Sequence, residues 1–329
     1  LLSVEAYHKA DTLQSRASLL TTLTYKPNLL RDFYGHQGPV SNVAFSPDGE
    51  LMVTAGCSLP GPSRGNMTCE QGEILFWSVG SGELLEVVIT PHPVFISNLV
   101  FSPDGARLVS SDWNGSIVVW DVVSRQPLGD PLFENFGRVL DLVFSPDGSY
   151  CVSSHELLNT GGGNMISGEL RVWDPETLAL VKHIPMVFTL PYGNLAITPD
   201  GSRMVAAYQS ASSVSLWDLE TWEKIPGAFE DFEEVVRSMD ISPDGSTLVF
   251  GNYDNSLLLW DLDTMEPVGN IVNAHTDLIN KVVFSPDGHR IISVGEDQAV
   301  RLWDTATLEP IGDPFAETTE ALNDIAFHP

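Results

Sequence analysis

The chain has 329 residues, 43% apolar and 18% charged, which is enough to bury a large core and too little charge for disorder. Sixteen Lys and Arg against 44 Asp and Glu leave a formal charge of −28, which repels nucleic-acid backbones and anionic membranes and excludes duplex binding as a function class. No apolar run reaches the roughly 18 to 20 residues of a membrane helix, and three cysteines (Cys57, Cys69, Cys151) are too few for a disulfide scaffold.

In chain order, Leu1-Leu2-Ser3-Val4-Glu5 has neither the basic region nor the apolar core of a secretory signal, so a reduced, cytoplasmic setting is expected. Residues 1–28 read as a short helical linker. Asp11 and Gln14 have capping-box spacing, Leu13, Ala17 and Leu20 recur on one face, and Pro27 marks the stop. Leu29-Leu30-Arg31-Asp32-Phe33-Tyr34 follows as a strand. From there two markers share one period. Pro-Asp-Gly recurs with its proline at 47, 103, 146, 199, 243 and 286, and tryptophan recurs at Trp77, Trp120, Trp173, Trp217, Trp260 and Trp303. Steps of 43 or 44 residues dominate both series, the period of an all-β propeller with four short strands per blade.

The sixth unit shows why each repeat makes a blade. Ile279–Phe284 is strand a, Ser285-Pro286-Asp287-Gly288 a turn with proline preset and glycine free to take positive φ, Arg290–Val294 strand b, and Ala299–Trp303 strand c. Strand d is the outer edge, near Pro310-Ile311-Gly312. Alternating apolar positions face neighbouring blades, so burial is shared between units. Blades are expected at about 40–90, 94–133, 137–184, 192–229, 235–272 and 278–315 within a propeller domain over 29–329, with residues 321–329 as strand a of a seventh. Two inner strands of that seventh blade have no candidate, so the native polypeptide is expected to continue past Pro329.

These markers resemble the WD-repeat β-propeller family over roughly residues 35 to 329. The family's hydrogen-bonded tetrad of His, Ser or Thr, Asp and Trp carries over completely only to the sixth blade, as His275, Ser293, Asp297 and Trp303. Parts remain as His36, Thr54 and Trp77 in the first blade, His92, Ser110, Asn114 and Trp120 in the second, and Asp254 and Trp260 in the fifth. The third and fourth blades depart most, which suggests less rigid turns there. A His, Ser and Asp set can also activate a nucleophile, but the resemblance places these residues in a buried polar chain that satisfies its own donors and acceptors, a stability device.

Two insertions lengthen connections between strands b and c, Cys57 to Gly72 and His155 to Gly168, and strand alternation puts both at one face. A Cys57–Cys69 bridge across the first is conceivable in an oxidising compartment, Asn66-Met67-Thr68 reads as a chance glycosylation pattern, and Gly161-Gly162-Gly163-Asn164 as a flexible loop. Trp113 and Tyr253 stand at turns where small polar residues would suffice, and the family's contact positions carried over to this chain add Phe95, Arg138, Arg237, Leu278, Asn280 and Glu296.

A second resemblance covers the segment before the ring and linkers such as Pro127-Leu128-Gly129-Asp130-Pro131 and Pro310-Ile311-Gly312-Asp313-Pro314, which are similar to propellers of bacterial STAND-type (NACHT-like) signalling NTPases. The chain has no phosphate-binding Gly-x-x-x-x-Gly-Lys-Ser/Thr loop, and neither cofactor nor metal is expected. The expectation is a non-catalytic protein-protein interaction module, the sensor or scaffold propeller of a larger signalling protein fused to further domains before Leu1 and after Pro329. Its partner would be a protein or peptide on the face bearing residues 57–72 and 155–168, with no nucleic acid and no membrane contact from this segment. The alternatives are a free-standing scaffold without an NTPase and a propeller hydrolase with a channel site.

Overall fold

The computed structural model describes residues 2–6, 17–21, 31–33, 35–36, 38, 40–60, 69–92, 94–133, 137–157, 167–187, 193–208, 214–229, 232–314 and 322–329. They are all-β, with six propeller-type blades and no helix among the described residues. The blades are antiparallel meanders in sequence order. The first is Val40–Phe45, Leu51–Pro60, Cys69–Ser78 and Leu84–Ile89. In the second, Ile96–Phe101, Arg107–Asp112 and Ser116–Asp121 are edged by the two-residue strands Gln126–Pro127 and Leu132–Phe133, both paired to Ser116–Asp121. The third is Arg138–Phe144, Cys151–Leu157, Ser167–Trp173 and Leu180–Val187, and the fourth Gly193–Ile197, Arg203–Tyr208, Val214–Asp218 and Glu223–Lys224. The fifth is Val236–Ile241, Thr247–Asn252, Leu257–Asp261 and Glu266–Ile271. The sixth has Ile279–Phe284, Arg290–Gly295 and Val300–Asp304, its outer strand reduced to a single Trp303–Pro310 bridge.

Each a-to-b turn is built by the same local chemistry. The hydroxyl of Ser46 donates to the Asp48 carboxylate (2.6 Å), which also accepts from the Glu50 N–H (3.0 Å), while the Leu51 N–H donates back to the Ser46 hydroxyl (2.9 Å). The same bonds recur with Thr198 replacing serine in the fourth blade. Glycine follows the Asp at φ between 70° and 75° in all six turns, a conformation that only glycine takes freely. At Gly105, Gly201, Gly245 and Gly288 it also lies against a proline of the turn before, with an added Cβ at Gly245 coming within 3.1 Å of Pro199.

Two compact units partition the chain, residues 1–142 with 320–329, and residues 143–319. The first strand of the third blade runs across that boundary. Within the first unit the core lies between blades one and two, where Phe76, Ile96, Leu108 and Trp120 pack together. Within the second, Leu170, Met204 and Trp217 join blades three and four, Val205, Phe250 and Trp260 join four and five, and Leu259, Ile279 and Trp303 join five and six.

The N-terminal segment corrects the expected helix. Leu2–Ala6, Ala17–Thr21 and Arg31–Phe33 are strands of one antiparallel sheet, paired in that order. The helical reading counted only spacings within the segment. It could not weigh the ladder from Leu2 opposite Thr21 to Ala6 opposite Ala17, which satisfies the backbone by pairing across about fifteen residues instead. Strand a of a seventh blade is corrected too, because residues 322–329 form no strand. They are nonetheless anchored: Leu322 and Ile325 are buried, the Val43 N–H donates to Asp324 Oδ2 (3.0 Å), and His328 Nε2 donates to the Gly49 carbonyl (3.1 Å). Expectations about turn rigidity in the third and fourth blades, the glycine-rich run 161–164 and the Asn66 pattern concern residues outside those described.

Candidate functional site

The tryptophans of strand c meet a hydroxyl of strand b in four blades, because the residue two before the tryptophan is in register with that hydroxyl residue. Trp77 Nε1 donates to Thr54 (3.0 Å), Trp120 to Ser110 (2.9 Å), Trp173 to Ser153 (2.7 Å) and Trp303 to Ser293 (2.9 Å). In each case the hydroxyl shares a 2.7 Å hydrogen bond with a histidine Nε2, from His36, His92, His155 and His275. In the sixth blade His275 Nδ1 completes the chain to Asp297 (2.8 Å). Burial pushes the Asp297 carboxyl up, but donors from Arg301, His275 and the Thr276 N–H outweigh it and hold the carboxyl at about 2. Burial lowers the pKa of His275, so its ring is neutral at pH 7.

The acid ends of the other blades differ from the sequence reading. In the second blade His92 bonds Asp112 (3.0 Å) and not Asn114, whose own N–H donates to the other Asp112 oxygen (2.8 Å). Asp112 therefore serves both the tetrad and the turn, which the family offset misses. In the first blade Glu73 of strand c supplies the carboxylate (2.7 Å), so the insertion displaces the acid and does not remove it. Glu169 holds the same place four residues before Trp173, but it accepts from Arg171 Nε (2.5 Å) and His183, and His155 Nδ1 has no hydrogen-bond partner among the described residues. The unread signal is the Gly-Glu pair four residues before a tryptophan, at Gly72-Glu73 and Gly168-Glu169. Ser110, Ser153 and Ser293 are fully buried, so these serines offer no surface to a substrate.

The expected contact residues gather in two groups, one in each unit. In the first, the Phe95 and Trp113 rings lie 5.6 Å apart and the Arg138 guanidinium stands 5.4 Å over the Trp113 ring. The turn fixes this arrangement. Asp112 Oδ1 accepts from the N–H groups of Asn114 (2.8 Å) and Ser116 (3.0 Å), and Gly115 takes φ 87°, which leaves Trp113 at the tip, 44% exposed. Cys57 and Cys69 are joined by a disulfide across the first insertion, and the bridge is buried against Phe95. In the second group the Arg237 guanidinium stands 5.6 Å over Tyr253 and donates to Asn280 (2.6 Å) and Glu296 (2.9 Å). Leu278 joins it through its carbonyl, which accepts from the Glu296 N–H (2.8 Å). No group of three or more His, Cys, Asp or Glu side chains among the described residues could hold a metal, and no helix among them is long and apolar enough to cross a membrane.

Four segments, residues 27–58, 83–121, 226–261 and 266–304, match the WD domain, G-beta repeat, so the chain carries WD40 repeats. The strands of the third and fourth blades lie between the matched segments. Similar proteins include human apoptotic protease-activating factor 1, 31% identical over 134 residues, which covers 38% of this chain and 10% of that protein. A WD repeat-containing protein WDS homolog of Arabidopsis thaliana is 27% identical over 228 residues, covering 68% of this chain and 30% of the relative. A guanine nucleotide-binding protein subunit beta of Nicotiana tabacum is 30% identical over 97 residues, covering 28% and 22%. The chain thus spans less than a third of the length of each of these relatives.

Proposed function

We propose that this chain is a non-catalytic protein-protein interaction module, the sensor or scaffold propeller of a larger signalling protein similar to STAND-type NTPases. The carrying observation is an arginine on an aromatic ring at the b-to-c ends of two blades, Arg138 on Trp113, both exposed, and Arg237 on Tyr253, both half-buried. Arginine, tryptophan and tyrosine are the side chains that dominate binding hot spots, and here each ring is pinned by a turn and needs no ordering on binding. Relatives named as a subunit of a guanine nucleotide-binding protein and as an activator of an apoptotic protease support a role in assemblies. The partner is a protein or peptide at the blade ends carrying residues 57–72 and 155–168. A cytoplasmic setting belongs to the same proposal, and the buried Cys57–Cys69 bridge weighs against it.

The test is capture of partners from a cell extract by the intact chain and by a Trp113→Ala, Tyr253→Ala double variant of equal thermal stability. At least tenfold loss of the captured species is expected. Undiminished capture would remove these residues as the binding surface. Reading the open reading frame upstream of Leu1 tests the signalling context, since a phosphate-binding loop there supports it and a frame without one leaves a free-standing scaffold.

A further inference from the structure

With 44 acidic side chains against 16 basic ones, a guanidinium in this chain has carboxylates to choose from. Arg125, Arg171, Arg203, Arg237 and Arg301 each lie within 3.2 Å of one. Arg138 is exposed and pairs with no carboxylate among the described residues. Its guanidinium lies against the Trp113 ring. The ring contact uses none of the guanidinium's N–H donors, so its planar fork can pair with a group that docks there. The matching group in the second unit is different, because Arg237 is already neutralised by Glu296 and held by Asn280.

Building on the interaction-module reading, we infer that Phe95, Trp113 and Arg138 form a docking shelf for an acidic segment of a partner protein. That segment sets an apolar or aromatic side chain on Trp113 and a carboxylate against Arg138. Charge complementarity selects this occupant. At the shelf itself a basic segment would meet Arg138, a cation with no counter-ion among the described residues, whereas a short acidic segment supplies that counter-ion. The carboxylate accepts two parallel hydrogen bonds from the guanidinium, the geometry that favours arginine over lysine at such sites. The shelf is rigid from below. Phe95 is 9% exposed and shares a small apolar cluster with the cross-linked Cys57 and Cys69, so the ring against which Trp113 rests is locked to the base of the first insertion.

The experiment selects a phage-displayed random 12-mer library on the full chain and measures each enriched peptide, as a synthetic fluorescein conjugate, against the wild type and the Arg138→Gln, Arg138→Lys and Arg138→Glu variants. Selected peptides are expected to pair Asp or Glu with an aromatic or large aliphatic residue. They should weaken at least tenfold on Arg138→Gln, recover only partly with Arg138→Lys, and not bind Arg138→Glu. Circular dichroism melts of the variants establish that each is folded. Reduction with a dithiol, which converts the bridge to two thiols, is expected to weaken the same peptides without changing their preference for acidic residues. Enrichment of basic peptides, acidic peptides indifferent to Arg138, or no Arg138-dependent peptide at all would overturn the inference. Peptides that instead depend on Tyr253 would overturn it while leaving the interaction-module reading standing.

Discussion

One side chain in strand b decides how each tryptophan is accommodated. Where that residue is Thr54, Ser110, Ser153 or Ser293, the indole N–H has an acceptor; where it is Ala206 or Phe250, Trp217 and Trp260 have none among the described residues. His155 is the outlier among the histidines. It comes from strand b itself, two residues after the Ser153 it bonds, and its Nδ1 has no hydrogen-bond partner among the described residues. Burial, with the positive field of Arg171 and His183, lowers its pKa to about 3. The fold accepts only the neutral ring, whereas the unfolded chain takes up a proton as pH falls through about 6.5, so stability is lost progressively below that pH down to about 3. Between about pH 7.5 and 5.5 the loss from this ring is about 1.4 kcal/mol. Urea midpoints at those two pH values should therefore fall less for His155→Asn than for the wild type, and an equal fall in both would show that His155 does not carry the effect. His275 is also lowered, but it is present in both proteins and cancels in the comparison.

At the scale of the element, the fifth blade replaces a polar connection by an aromatic one. In the first, second and sixth blades the histidine stands four residues before the first residue of strand a: His36 before Val40, His92 before Ile96, His275 before Ile279. Four before Val236 stands Phe232, and the strand b hydroxyl position holds Phe250. The two rings meet at 4.7 Å and close on Trp260 with Phe229. A double-mutant cycle tests this exchange. Phe232→Ala should cost about 3 to 5 kcal/mol, and Phe232→His with Phe250→Ser should be less destabilising than the sum of the two singles by about 1 kcal/mol or more. Strict additivity, measured by denaturant unfolding, would mean the two positions do not form a unit. Strands and turns were legible because Pro-Asp-Gly and the tryptophan period are local chemistry repeated six times. The tetrads were legible only where the acid kept its offset. Asp112, Glu73 and the aromatic substitution at Phe232 and Phe250 were not, since each depends on register between strands that spacing along the chain does not reveal. The N-terminal sheet was hidden for the same reason, its partners being set by pairing and not by period.

For the molecule as a whole, the charge of −28 is held in place by the turns themselves. Hydrogen bonds from Ser46 and the Glu50 N–H keep Asp48 below the usual carboxylate range, and the corresponding hydroxyl and backbone donors do the same for Asp104, Asp147, Asp200, Asp244 and Asp287. The aspartates that follow four of the tryptophans, Asp121, Asp218, Asp261 and Asp304, are lowered likewise by the donors of their own turns. The carboxylates that shape the turns are thus the ones least able to shed charge by taking up protons, and their repulsion can be relieved only by the solvent. Screening length falls from about 30 Å at 0.01 M salt to about 10 Å at 0.1 M, which separates most surface carboxylates electrically while leaving the hydrogen bonds of each turn intact. Self-repulsion of a strongly charged compact state opposes folding, so the thermal midpoint should rise as sodium chloride is raised over that range, most steeply at its low end. Replacing Asp48, Asp104 and Asp287 by asparagine, which keeps the turn acceptor, should flatten the rise. A midpoint that stays constant or falls with salt would mean that attraction between opposite charges outweighs the excess of acid.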